Sequence, residues 1–592
     1  MSDKKVTAKK VIKIILSIVS LLLIISIVSV INIAACQLLD LYDYAKETKH
    51  NAEDFVTLMK DKDFYNAKDK LDEVHSSIKY FRSLAENEYV DKAASYVKKY
   101  EGDYRSACKL LDIADETLDE WSDRTFDLLF ENPLDNISSD AGFNIPSIMS
   151  YLDYAQEAVP MAEDLLSELS KIELSFYDLK GKIGEHRDKI DELLGVYHQA
   201  EYYFPLIRAF LGDGTVNKYY LVFAQNTAEI RPGGGFPGSV GSVRIKDGYL
   251  SIGDFRSVWD IFPDYTPYHL AVDWWTNEVF GGVVNWPRDA EMNPDFEFLG
   301  KYWCDVYEYQ NGIRADAVVS VTPAIIQEFL RIFGEIELSN GDVMNGDNAV
   351  RLLQHDWYVR YMNSYQIMYG IEGPNKVVDA LFSEVTKALL PLCKDVKDIG
   401  VVPKLIDMVE KCADNRVLMI WMNDPEAQKL VKEYGFSGGL GDDPEKPVVG
   451  VYFGNNYASK MGWWIDADSW IGEGRLLSDG SMEYDAHVTF TNIFDPSEAY
   501  YLGYWIAGVR MNGILDWYVY VFGPAGGDIY DVCIDYWWNP CNITWYKGHT
   551  LGYMNRHYFH PGTETVYFTI RTAPGVTEKP VIKMTPTVTE YR

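Results

Sequence analysis

The chain of 592 residues has few of the features that announce a known chemistry. It has seven cysteines, and none stands in a Cys-x-x-Cys pair, which leaves no framework for a zinc knuckle. No Gly-Lys-Ser/Thr follows the run Gly233-Gly234-Gly235, so that run is not a P-loop. Pro237 stands where a nucleophile elbow around Ser239 requires its first glycine. His186-Arg187-Asp188 spells a kinase tripeptide, but in a charged helix with no glycine loop or Asp-Phe-Gly. His557 and His560 fall on opposite sides of a strand, so with His549 they make a poor metal cluster. Basic residues are scarce: 55 against 88 acidic ones, a formal charge of −33. Such a surface repels nucleic acid and anionic polymers unless divalent cations bridge them.

Long apolar runs are also scarce, with one exception near the N-terminus. Ile14 to Ile31 holds only apolar residues and a few serines. Extended to residue 35, it is long enough to cross a hydrocarbon core of ~30 Å. Lys4, Lys5, Lys9, Lys10 and Lys13 precede it, opposed by Asp3. The reading is a signal anchor: a cytoplasmic tail over 1–13, a transmembrane helix over 14–35, and the bulk of a single-pass cell-membrane protein held extracytoplasmic. A cleaved signal peptide has a shorter apolar region. Ile33-Ala34-Ala35-Cys36 also resembles a bacterial lipoprotein cleavage box, which would leave a lipidated Cys36.

The predicted fold class is multidomain α+β. Residues 37–211 show apolar positions at helical spacing and read as an all-α helical stalk. Leu71, Val74, Ile78 and Phe81 form one face; Leu110, Leu111, Ala114 and Leu118 form another. The pattern D-[FY]-x-x-A-x-x-x-L-D starts at Asp63 and again at Asp103, which suits either two packed hairpins or a short helical repeat. Residues 215–435 alternate strands with helices, as in a central α/β domain. Lys218 to Ala224, Ser239 to Ile245 and Ala317 to Val321 are strands, and Pro323 opens a helix through Phe333. After a Gly/Pro/Asp linker, residues 447–592 read as a C-terminal β-sandwich of short strands. Cys533 and Cys541 flank a hairpin-like stretch there and are candidates for a disulfide.

Three blocks carry a resemblance. The first is Tyr220-Leu221-Val222-Phe223-Ala224-Gln225-Asn226-Thr227-Ala228-Glu229-Ile230-Arg231-Pro232-Gly233-Gly234-Gly235-Phe236. The second runs from Arg288-Asp289 to Pro294-Asp295-Phe296, with Glu291-Met292-Asn293 in place of the usual Asn-Trp-Ser. The third is Ala315 to Pro323, followed later by Asn455 to Lys460 and Thr491-Asn492. Together they resemble the bacterial domain of unknown function numbered 4012, from about Lys218 onward. That family name implies no activity. The order of features is also similar to the LytR-CpsA-Psr family of glycopolymer transferases, with Asn345-Gly346-Asp347-Asn348-Ala349-Val350-Arg351 at a comparable helix start.

Consecutive glycines expose backbone N–H groups, and a guanidinium beside them offers bidentate contacts. Arg231, Gly233, Gly234, Gly235 and Arg351 are therefore candidate anion-binding residues. The alternative is a tight turn whose Arg231 pairs with a nearby carboxylate. By the transferase resemblance, Arg288, Asp289 and Asp295 are the candidate catalytic residues. Arg231 and Arg288 would neutralise phosphate, and an aspartate would hold Mg2+ or accept a proton; the alternative for the aspartates is loop capping and a pairing with Arg288. Two functions follow. One is a cell-envelope protein binding or transferring a phosphate-bearing lipid-linked glycan or wall polymer, with polyprenyl-phosphate lipid as partner. The other is a non-enzymatic surface module binding wall glycan or a protein, with Trp463, Trp464, Trp470, Trp537, Trp538 and Trp545 as sugar platforms or as core. Convergence of Arg231, Arg288 and Asp289 on one pocket separates the two.

Overall fold

The computed structural model describes residues 39–88, 91–92, 101–133, 136–139, 141–175, 178–369, 374–394, 400–508, 512–535 and 539–592. They form two compact units. One runs to Phe204 and includes Leu211–Thr215 and Lys394–Pro403; the other comprises Pro205–Phe210, Val216–Cys393 and Lys404–Arg592.

The first unit is built on α1 (Leu39–Asp61), α2 (Phe64–Ala85), α3 (Glu101–Glu131), α4 (Ile145–Ser170) and α5 (Leu179–Tyr202). Both apolar faces expected from the sequence are buried in one cluster. Asp63 caps α2 by accepting from the Asn66 amide. Its counterpart Asp103 lies inside α3 and accepts from the amide of Ser175, so the repeated motif does not mark two equivalent helix starts. Along the α2–α3 seam a basic edge meets an acidic one. Lys68 pairs with Asp123, His75 with Asp115, Lys79 with Asp119, and Arg82 with both Asp112 and Asp115. The unit is not all-α. Ser138–Ser139 and Gly142–Asn144 pair as a short antiparallel hairpin, where Gly142 at φ +122° makes a turn that a helix cannot continue through.

The second unit contains three larger sheets. The first has the order β3 (Tyr249–Ile252), β2 (Phe236–Lys246), β1 (Lys218–Asn226), β4 (Ala317–Val321), β5 (Leu418–Met422). Only β1 and β4 are parallel; α6 (Phe296–Asn311) and α7 (Pro323–Phe333) flank β4 in sequence. The second sheet has the order β11 (Asn542–Tyr546), β12 (His549–Phe559), β9 (Leu515–Phe522), β6 (Val448–Asn455), β14 (Val581–Met584). The third has the order β7 (Ile465–Ile471), β8 (Met482–Asn492), β13 (Gly562–Arg571), β10 (Asp528–Ile534).

Every residue of β9 is buried, because both faces of its sheet are covered. On one side Trp517 lies 5.6 Å from Phe490 of β8 and 5.4 Å from Phe453 of β6. On the other, Tyr518, Tyr520 and Phe522 join Phe223, Phe280, Phe296 and Trp303 in one apolar cluster. A continuous core therefore runs from the β1–β5 sheet into the second sheet, which is paired with the third through its other face.

Two expectations are corrected. The fold is mixed α/β with several sheets, in place of an all-α stalk, an α/β domain and a β-sandwich in series, because the hairpin interrupts the helices and the shared core joins the later segments. No described helix is long and apolar enough to cross a membrane. The transmembrane, signal-anchor and single-pass extracytoplasmic assignments lose their support; residues 14–35 and Cys36 lie outside the described residues. Cys533 and Cys541 both carry free thiols, and burial pushes the Cys541 thiol up to about 12.

Candidate functional site

The turn after β1 carries half of the predicted site residues, Arg231 and the three glycines. Glycine is required there by packing. A Cβ on Gly233 would sit 2.8 Å from the Glu291 carbonyl, and one on Gly235, at φ +141°, 2.5 Å from that of Asn226. The Gly233 amide donates to Glu291 O at 2.7 Å and the Gly234 amide to Arg231 O at 3.0 Å. Two of the three glycine N–H groups thus hold the chain to itself.

Arg231 is buried beneath this turn. Its Nη2 lies 3.5 Å from Asp289 Oδ1 and its Nε 3.8 Å from Glu291 Oε1. Glu291 is fully buried, and neither of its carboxyl oxygens has a hydrogen-bond partner. Burial, reinforced by the Asp289 charge, pushes its pKa well above the usual carboxylate range. Burial also raises Asp289, against the opposing pull of Arg231 and Arg288.

Arg288 follows a backbone fixed by Trp303, whose indole donates to Pro287 O at 2.7 Å. Its guanidinium turns to Asp264, 2.9 Å away, and lies 3.9 Å from the Trp259 ring centroid. Asp295 is buried; it caps α6 by accepting from the Glu297 amide and pairs with Lys547. The structure thus brings Arg231, the glycine turn and Asp289 together, with Arg288 beside them but engaged elsewhere. Arg351 makes its ion pair with Asp356. Magnesium does not fit this set, since Asp289 already feels two guanidiniums and Asp295 holds a helix end and an ammonium.

Residues outside the predicted set complete the arrangement. Lys460 donates to Glu229 at 3.1 Å, the Asn455 amide to Ile230 O, the Gly462 amide to Ala228 O, and Thr585 Oγ1 to Pro232 O. Arg416 reaches Pro294 O at 2.6 Å. Apart from the Arg416 contact, these bonds stitch the turn to segments more than two hundred residues further on. The sequence signal was the Asn455–Lys460 block, which carried no indication of its target.

Residues 216–358 match the family model described as Protein of unknown function (DUF4012). This segment is a DUF4012 region. It takes in β1 to β4, the glycine turn and the Arg288–Asp295 loop, and ends just beyond Asp356. The groups that grip the DUF4012 turn, Lys460, Gly462 and Thr585, lie outside the matched segment. No curated protein matches the chain.

A different arrangement faces outward from the third sheet. Trp470 of β7, His487 of β8 and Tyr567 of β13 stand directly opposite one another across three strands. Trp470 stacks on His487 at 5.1 Å, and His487 lies 5.6 Å from Tyr567. Trp470 and Tyr567 remain 52% and 45% exposed. Two residues along, Asp468, Thr489 and Thr565 form the next row. The alternate residues Ala486, Val488, Phe490, Val566 and Phe568 are buried, so the period of two separates a core face from an aromatic and hydroxyl-bearing one. Trp463 and Trp464 are buried, Trp545 is exposed, and Trp537 and Trp538 lie outside the described residues.

Proposed function

We propose that the chain is a non-enzymatic module that binds a neutral polysaccharide on the outer face of β7, β8 and β13. The observation that carries this reading is the exposed row Trp470–His487–Tyr567. Ring faces supply apolar surface for the C–H face of a pyranose at low entropic cost, since the stack already fixes them. Asp468, Thr489 and Thr565 stand beside the row as acceptors and donors for sugar hydroxyls. The charge of −33 favours a neutral polymer over an acidic one.

Transfer of a phosphate-bearing glycan has less to recommend it. That chemistry needs Arg231, Arg288 and Asp289 free to meet a ligand. Instead Arg231 is buried between two carboxyls and Arg288 is held by Asp264 and Trp259. Titration of the full chain with soluble hydroxyethyl cellulose, glycol chitin and a teichoic-acid-type polyphosphate, read by tryptophan fluorescence, tests the choice. Saturable quenching by a neutral polymer, reduced at least tenfold in affinity by Trp470→Ala, is the expected result. A response to the polyphosphate alone would return the reading to the phosphate class.

A further inference from the structure

The helix that begins at Ala349 widens at Leu352–Asp356 into a π-turn. Such wide turns cost backbone regularity and recur where a side chain must be re-aimed. Here the turn places two consecutive polar residues differently. His355 stacks on Trp463 at 4.8 Å, while Asp356 lines an open cleft of about 490 Å³ with Arg351, Arg360, Asn363, Gln366 and Tyr501.

Both guanidiniums in this cleft are held by one carboxylate each. Arg351 donates from Nε to Asp356 Oδ2 at 3.0 Å; the other oxygen of Asp356 is 2.7 Å from His355 Nδ1. Arg360 contacts both oxygens of Asp342, at 3.1 and 2.9 Å, and the Trp357 indole fixes that carboxylate further at 2.8 Å. The Arg351 bond uses one edge of the fork, and its side chain is 62% exposed. Asn363 accepts from the Gln366 amide, which orders the segment bearing Gln366. Ser364 Oγ donates to Tyr500 O at 2.8 Å, tying that segment to the one that presents Tyr501. The approach depends on Gly503, at φ +80°, where a Cβ would sit 2.4 Å from Ser364 Oγ.

We infer that this cleft is a second saccharide site, taking one or two units of a neutral sugar. Its volume is within the range of small-ligand sites, about 300–1,000 Å³. The two positive charges are matched by two negative ones, so the cleft offers many N–H donors with little net charge. That combination suits hydroxyl and ring oxygens rather than phosphate or carboxylate. Tyr501 adds an exposed ring against which a pyranose can lie. The inference rests on the neutral-glycan reading of the chain, but on different residues.

The test uses the full chain and soluble cellotriose, maltotriose, triacetylchitotriose and tri-galacturonic acid, with binding measured by calorimetry. One neutral trisaccharide should bind, and Tyr501→Ala and Arg351→Ala should each weaken it at least tenfold. Both residues are exposed, and unchanged melting temperatures would show that folding is intact. Trp470→Ala should leave trisaccharide affinity unchanged. No trisaccharide binding beside retained binding of a neutral polymer would overturn the cleft and spare the sheet face. Tighter binding of the uronic acid trisaccharide would overturn the neutral class. No binding of trisaccharide or polymer would remove both readings.

Discussion

Lys460 donates to Glu229 across 3.1 Å, and both side chains are almost removed from solvent. The ammonium also lies 4.3 Å from the Tyr358 ring centroid. This contact joins the turn after β1 to the loop after β6, so it couples the DUF4012 segment to the paired sheets. Removing one member of a buried pair strands the other without compensation, at a cost of ~3–5 kcal/mol. Glu229→Gln and Lys460→Met should each lower unfolding free energy by about that amount. The double variant should lose less than the sum, as a urea denaturation cycle will read.

The glycine turn yields a second prediction. Gly235 holds φ +141°, and a Cβ would meet backbone rather than a flexible side chain. Gly235→Ala should therefore cost more than about 2 kcal/mol in chemical denaturation, through strain and overpacking together. A shift below about 0.5 kcal/mol would mean that the turn relaxes freely.

Glu291 gives a pH dependence with a definite sign. A carboxyl whose folded pKa lies above its unfolded value, near 4.3, binds more protons when folded. Its contribution is complete below the unfolded pKa and is lost as pH rises through the folded one. Burial places Glu291 in that class. Glu291→Gln removes the ionisation, so the variant should gain on the wild type in unfolding free energy from pH 4 to pH 8. Parallel stability profiles would show that the carboxyl is not held protonated.

In the helical unit, Asp115 accepts from both His75 and Arg82 and is nearly buried. Asp115→Ala takes the nearest acceptor from His75 and one from Arg82, which keeps Asp112, and should cost ~1–3 kcal/mol. Exposed pairs along the same seam, such as Lys79–Asp119 at 2.8 Å, should contribute little and weaken with salt. Helical circular dichroism followed on melting, at low and high salt, separates the two cases.

The sequence read well where burial leaves a local trace. Apolar spacing located the α2 and α3 faces, and Pro323 with Gly334 bounds α7. The strand through Lys218 to Ala224 is there, two residues longer. Long-range pairing left no such trace. Nothing local in Lys460, Gly462 or Thr585 says that each bonds to the turn at 228–232. The double burial of β9 is hinted at by the apolar run Trp517–Phe522, but its two partners are not. For the site, Arg231 and Asp289 were placed together by motif. Glu291 beside Arg231 and Asp264 beside Arg288 were not, because a charged side chain looks the same in sequence whether it is paired inside or free outside. Trp470 and Trp463 illustrate the same limit: equal in composition, one exposed and one buried.

Binding of a neutral polysaccharide is proposed for the Trp470–His487–Tyr567 face. Co-sedimentation of the full chain with microcrystalline cellulose and with chitin, beside Trp470→Ala and Tyr567→Ala variants of matched melting temperature, tests it most directly. The wild-type chain is expected to pellet with at least one polymer, and both variants to lose at least tenfold in affinity. A wild-type chain that stays in solution with both polymers, or variants that pellet as well as it does, would rule this face out as the binding surface.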